Sequence, residues 1–239
     1  LAYLLATAHR QRVLLIDADA QANATRTLLL DGDYDGLAAL LESKVICYDE
    51  AIEHTEIPNL DMVPASSELR NIDLGLVTRE GTAALRAIRD LRDNVAEDDA
   101  YDVIVIDCPP GFTAACVAAI LASNSLIIPV LPDAFSAEGM DDLVEQIDGV
   151  RKLQPDIRVA GCLVTQWHNG DVVLDATDYL RTDGPIPVFD TVIRRTDKVL
   201  ESTWAKQPVL MWSPNSSAAR DYRAWVNELI TKEALVNGR

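Results

Sequence analysis

The sequence predicts an α/β fold, a mostly parallel twisted sheet with helices on both faces, and three observations carry that prediction. Two short runs, Val13-Leu14-Leu15-Ile16 and Val103-Ile104-Val105-Ile106, are continuously apolar, and each stops on an aspartate, Asp17 and Asp107. A strand reads this way when helices cover both its faces, because every side chain is then buried rather than every second one. Helical patterns separate such runs along the whole chain, which gives βαβ units. The 239 residues, 49% hydrophobic and 25% charged, suffice for a large core. No repeat, linker or low-complexity tract interrupts them, so a single domain is expected over residues 1–239.

The elements follow in order. Leu1 to Ala8 reads as a helix and Val13 to Ile16 as a strand. Asp35-Gly36 starts a short helix, Leu37 to Leu41, and another is expected near Asp49 to His54. Asn59 to Pro64 is a short strand, with Ser66 or Ser67 as N-cap to a helix through Leu76. Gly81 to Val95 is helical, with Ala84, Leu85, Ile88 and Leu91 at spacings of three and four. Thr113 to Ala122 is an Ala-rich helix suited to close packing on a sheet. Leu126 to Val130 is a strand, and Glu138 to Leu153 an amphipathic helix with Met140, Leu143, Val144, Ile147 and Val150 on one face. Val159 to Thr165 and Val188 to Val192 are further strands, and Pro214 to Ala234 is a closing helix. The most apolar stretch, Val117 to Leu131, contains Asn124, two serines and Pro129, and reads as helix, turn and strand rather than a membrane span.

Charge and cysteine usage narrow the function classes. Against 38 Asp and Glu stand 21 Lys and Arg, a formal net charge of −17. That balance favours solubility and argues against a generally basic nucleic-acid surface. Cys47, Cys108, Cys116 and Cys162 show no C-x-x-C spacing and are expected as reduced, mostly buried thiols of a cytosolic protein. None of the three histidines is spaced for a metal site. Trp204, Trp212 and Trp225 are expected to pack rather than to stack on bases.

The candidate site is acidic. Asp17, Asp19 and Asp107 fall at the carboxyl ends of two strands, the edge where open α/β sheets bind ligands. Carboxylates gathered there repel one another unless a cation or bound water organises them, which makes Mg²⁺ the natural partner. For either strand alone, a helix cap or turn aspartate explains the residue as well. The two together favour a site.

The segments around these aspartates carry a resemblance. Val13 to Thr25 (VLLIDADAQANAT) and Tyr101 to Gly111 (YDVIVIDCPPG) resemble the switch I and Walker B/switch II regions of ParA-type partition ATPases. Leu126 to Leu143, Val188 to Ser202 and Ser216 to Leu229 resemble that family's later segments in the same order. The resemblance implies a P-loop NTPase fold of the deviant Walker A type, shared with MinD, and ATP with Mg²⁺ as cofactors. It makes Asp107 the Walker B carboxylate, holding Mg²⁺ through water, and Asp19 the group that orients the attacking water, with Asp17 behind it. Asn23 matches the switch I asparagine, although a plain turn asparagine fits equally. Pro109-Pro110-Gly111 makes a stiff turn whose Gly111 N–H suits a sensor of the terminal phosphate. Arg194, Arg195 and Lys198 match the region where partition relatives contact DNA phosphates; a solvated helix start explains them as well.

Three departures stand out. Ala20 and Ala22 occupy positions where the family usually has Pro and Gly, and Arg194 replaces a usual proline. No G-x-x-x-x-G-K-[ST] loop occurs, and Leu1 to Ala6 matches the later turns of the helix that such a loop starts. The sequence therefore reads as truncated just after the phosphate loop, and the 239 residues alone are expected to be inactive. By resemblance the protein forms an ATP-dependent homodimer, binds DNA non-specifically and is stimulated by a centromere-binding ParB-like partner, in the cytoplasm on the nucleoid. A MinD-like membrane-cycling ATPase is the first alternative, but Glu228 and Glu233 offset Lys232 and Arg239, so a membrane is not the expected partner. A non-enzymatic scaffold lacking the phosphate loop is the second.

Overall fold

β1 (Val13–Asp17) is buried at all five positions, as a strand covered on both faces requires. In the computed structural model it lies between two parallel neighbours, β3 (Leu60–Val63) and β4 (Val103–Asp107), with the two-residue β2 (Glu53–His54) antiparallel on β3. The structure describes residues 1–29, 32–34, 36–42, 47–76, 82–111, 113–133, 144, 145, 147–149, 151, 152 and 154–233. They group into two compact units, one within Leu1–Ser123 and one within Asn124–Arg239.

In the first unit, alternation along β1 decides which helix meets which side chain. Leu14 and Ile16 face a core built from α3 (Gly36–Leu41), α5 (Thr82–Glu97) and α6 (Ala114–Ala122), with Leu69 and Ile72 of α4 (Leu69–Leu76). Ile88, Leu91 and Val95 put one stripe of α5 into this core, and the alanines of α6 let it approach closely. Across the sheet α1 (Ala2–Thr7) packs on β1 and β3, burying Leu4, Leu5 and Ala6. At the opposite strand ends the Arg12 guanidinium grips Asp102 (2.6 Å), so β1 and β4 start together. Gly36 carries φ +26°, and a Cβ there would lie 2.3 Å from the Pro64 carbonyl, a contact that admits no side chain.

The second unit rests on a parallel pair, β5 (Ser125–Val130) and β6 (Arg158–Val164). Val130, Cys162, Val164, Leu180 and Ile186 form its core with Val144 and Ile147. Around it lie α7 (Asp171–Thr182), α8 (Asp197–Trp204), the short α9 (Val209–Trp212) and α10 (Ser217–Glu233). Trp225 of α10 sits edge-on to Phe189, with centroids 5.9 Å apart.

The α/β class and its parallel sheet agree with the sequence reading, and several local expectations do not. Asp49 to His54 is a 3-10 turn (Tyr48–Ala51) followed by β2, because Glu53 and His54 pair with Met62 and Asp61. Val188 to Val192 makes only an isolated bridge, Val188 to Cys162, before the chain bridges again at Arg194 to Trp167. The helix after β3 begins at Leu69, beyond Ser66 and Ser67. Their carbonyls accept from Leu69 and Arg70, while the Ser66 hydroxyl has no partner among the described residues. Cys116 and Cys162 are buried, but Cys47 and Cys108 are exposed. Trp225 packs as expected, whereas Trp204 is 91% exposed and Trp212 is exposed as well. Most of the amphipathic segment Glu138 to Leu153, together with Gly81, Asp35 and Ala234, lies outside the described residues.

Candidate functional site

Register brings the carboxylates together. β1 and β4 pair from Val13↔Val103 to Asp17↔Asp107, so both strands deliver an aspartate to the same edge, on strands about 5 Å apart. Ala18 extends the pairing by donating its N–H to the Asp107 carbonyl (2.8 Å). Asp19 follows two residues after Asp17, and these three carboxylates are the ones the sequence singled out.

Their surroundings differ. Asp17 has no exposed surface. One of its oxygens accepts the backbone N–H (2.9 Å) and the hydroxyl (2.8 Å) of Thr25, and the other accepts the Asp19 N–H (3.2 Å). Burial raises its pKa against the pull of those donors, and the nearby Asp19 charge adds to the rise. A carboxylate occupied by three donors is equipped to hold its neighbours in place. Thr25 Oγ1 in turn accepts the Ala65 N–H (2.9 Å), so the end of β1, the helix α2 (Asn23–Leu28) and the segment leaving β3 are fastened at one point.

Asp19 is half-buried. One of its oxygens accepts the Gln21 N–H (2.9 Å), and its carbonyl accepts the Ala22 N–H (2.8 Å) in a tight turn. Asp107 keeps an exposed face, yet its carboxyl is pushed up to about 6, first by loss of hydration and then by the charges of Asp17 and Asp19. A divalent cation at this edge would relieve that repulsion. Among the described residues no group of three or more His, Cys, Asp or Glu could ligate a metal by itself. An exposed Asp107 beside Asp17 and Asp19 fits Mg²⁺, which binds through one or two carboxylates and keeps waters and substrate phosphates as its remaining ligands.

The flanking turns are shaped by backbone. Ala22 adopts the left-handed conformation (φ 54°, ψ 39°) immediately before Asn23, the exposed first residue of α2. Gly111 after Pro109-Pro110 has φ +95° with open space where a Cβ would stand. Thr113 then caps α6 by accepting the Cys116 N–H (3.1 Å). The Cys108 and Cys116 thiols also meet, and that contact moves Cys108 up and Cys116 down from the ordinary thiol range.

The cationic candidates lie together at the start of α8 in the second unit, but two are engaged. Asp221 accepts the Arg194 guanidinium at 2.7 and 2.9 Å, and Glu201 accepts Lys198 Nζ at 2.8 Å. Arg195 is exposed, with no acidic partner among the described residues. Sequence reasoning gave no role to Thr25. The one available signal was a hydroxyl residue in the first turn of a helix that follows an acidic strand end.

A family model described as "AAA domain" matches residues 1–159. The chromosome partitioning protein ParA of Caulobacter vibrioides is 30% identical over 234 residues, covering 93% of this chain and 84% of that protein. Among solved structures, cobyrinic acid a,c-diamide synthase of Mycobacterium smegmatis with bound ADP and magnesium is similar at TM-score 0.78 and 24% identity, covering 100% of this chain and 87% of that one. The septum site-determining protein MinD of Pyrococcus horikoshii, complexed with Mg-ADP, is similar at TM-score 0.73 and 18% identity, covering 99% and 88%. Those structural likenesses establish the fold, whereas the partitioning relative and the matched domain reach further. The chain belongs to the ParA-type family of partition ATPases.

Proposed function

We infer that this protein is an ATP-driven partition or positioning switch: it binds ATP with Mg²⁺ at the edge formed by Asp17, Asp19 and Asp107, dimerises, binds DNA non-specifically and hydrolyses ATP under the stimulus of a centromere-binding ParB-like protein. The observation that carries the reading is the register Asp17↔Asp107, which puts an occupied, buried carboxylate beside an exposed one at the ligand-binding edge of the sheet. Asp107 is the group to hold the metal through water. Bound Mg²⁺ supplies charge neutralisation for the phosphates. Asp19 is assigned to accept a hydrogen bond from the attacking water, a reading supported by its partial exposure and by the turn that fixes it. Asp17 works on Thr25 and the turn rather than on substrate. The left-handed Gly111 leaves its N–H in a turn that can respond to the terminal phosphate.

DNA is assigned to Arg195 first. Arg194 and Lys198 can join it where DNA phosphates displace Asp221 and Glu201, so the affinity should fall steeply with salt. The test is Mg²⁺-dependent ATP hydrolysis and fluorescence-anisotropy binding to duplexes of unrelated sequence, both on the protein as its gene encodes it. Hydrolysis that stops on chelation, with DNA binding only in ATP, is the expected result. Absence of hydrolysis with the stimulating partner present would leave the scaffold reading. ATP-dependent sedimentation with anionic vesicles and no DNA binding would replace it with the membrane-cycling one.

A further inference from the structure

Both oxygens of the Asp17 carboxylate are engaged, and the way they are held fixes the residue beside them. Oδ2 accepts the Thr25 N–H (2.9 Å) and the Thr25 hydroxyl (2.8 Å), while Oδ1 accepts the Asp19 N–H (3.2 Å). Two donors converging on Oδ2 restrict rotation of the carboxylate, so Oδ1 stays aimed at the Asp19 backbone. The Thr25 hydroxyl carries a single proton. Because Oγ1 also accepts the Ala65 N–H (2.9 Å), that proton is directed to Asp17.

Behind Thr25 stands a firm support. Ala65 and Pro64 are buried. The Pro64 carbonyl accepts the Leu37 N–H (2.9 Å) in the first turn of α3. Gly36 lies so close that a Cβ there would come within 2.7 Å of the proline ring. The Pro64–Ala65 segment is therefore held by α3 on one side and holds Thr25 on the other. Thr25 is itself buried, so it acts on the site through Asp17.

We propose that Thr25 is a positioning residue for hydrolysis: braced by Ala65, it sets the Asp17 carboxylate, and Asp17 holds the Asp19 backbone where the Asp19 side chain meets the attacking water. This role rests on the ATPase reading given above. A bolt that only closed the fold would cost stability and leave turnover per folded molecule unchanged. A positioning residue lowers turnover per folded molecule. Nucleotide affinity should depend on it little, because metal and phosphates are met by other groups. A displacement of about 1 Å at a reacting group can cost about 100-fold in rate, and Thr25 acts at one remove, so a loss of about tenfold or more is expected.

The test compares Thr25→Val, which keeps the shape and loses the hydroxyl, with Thr25→Ser, which keeps the hydroxyl. Both are made in the protein as its gene encodes it and assayed with ATP, Mg²⁺ and the stimulating partner, well below their denaturation midpoints. Thr25→Val should lower kcat by about tenfold or more while the Kd for ATP stays within about twofold of wild type. Thr25→Ser should restore kcat. In an Asp17→Asn background, adding Thr25→Val should lower kcat by less than about twofold, since the group through which it acts is already lost. Unchanged kcat in Thr25→Val, parallel loss of kcat and affinity, or independent losses in the double variant would each overturn the proposal. Wild type supplies a measurement that needs no variant. Hydrogen exchange of the Asp19, Thr25 and Ala65 amides should show one common protection, and an Asp19 amide that exchanges freely while Ala65 is protected would overturn it too. Wild type without turnover would overturn the ATPase reading and this role with it. Wild-type turnover that Thr25→Val leaves unchanged overturns this role alone.

Discussion

Asp17 and Thr25 are joined twice, by the backbone N–H and the hydroxyl of the threonine on one carboxylate oxygen, and both residues are buried. The hydroxyl also accepts from Ala65, so its loss strands an N–H and a carboxylate lone pair together. Thr25→Val should therefore cost about 1–3 kcal/mol of stability, the usual penalty for buried polar groups left unpaired. Thr25→Ser should keep most of it. Urea denaturation of the two variants decides the matter, and equal stabilities would mean that the hydroxyl is not the fastening point.

Ala22 holds a left-handed backbone at the entry to α2. For a residue with a Cβ that conformation costs about 1–2 kcal/mol, a cost glycine escapes in the folded state while losing more chain entropy on folding. Ala22→Gly should leave stability unchanged or raise it by up to about 1 kcal/mol, read from the denaturation midpoint at constant slope. A clear loss of stability would show that the turn does not hold Ala22 left-handed.

Strand ends were the most legible part of this sequence, and partnerships made by tertiary context the least. Val13 to Asp17 and Val103 to Asp107 announce themselves because a doubly covered strand must be apolar throughout, and the register of their aspartates follows from parallel pairing. Glu53-His54 carries no strand signal of its own; it becomes β2 because Met62 and Asp61 offer an edge. Val188 to Val192 has strand composition, but the chain meets β6 only at separate points, through Pro187 and Phe189 on Cys162 and Ile193 on Val164, so a bridge forms there and not a strand. The exposure of Trp204 was invisible for a related reason. Hydrophobicity gives a residue's preference, and at the end of a short amphipathic helix it does not tell which neighbour, if any, covers it. Arg194 and Lys198 read as a free cationic patch until the fold supplied Asp221 and Glu201.

Asp19 and Asp107 should separate kinetically on the ATPase reading. Asp19→Ala removes a group that acts on the attacking water, so nucleotide binding should persist while turnover falls by about 100-fold or more. Asp107→Ala removes the group assigned to the metal, so Mg²⁺-dependent binding itself should weaken. Equilibrium binding of a fluorescent ATP analogue, alongside single-turnover hydrolysis, distinguishes them. Two variants with the same profile would refute the separate roles.

Glu228 offers the clearest pH dependence. Burial works to raise its pKa, but Lys232 and the backbone N–H groups of Asp190 and Thr191 outweigh it and hold the carboxyl at about 2, against an ordinary 4.5. A depressed acid stabilises the fold where it is ionised in both states, so its contribution is fully present above pH 4.5 and is lost as pH falls through about 2. Glu228→Gln keeps the shape and removes the charge. It should cost about 1–3 kcal/mol at neutral pH, less than the whole shift would give because the group is partly solvated. The gap between variant and wild type should narrow below pH 4.5 and close near 2. Asp221, also held low through Arg194, is present in both proteins and drops out of the difference. Thermal denaturation of the pair across this range gives the answer: a gap independent of pH would show that Glu228 acts on Asp190 and Thr191 by shape alone.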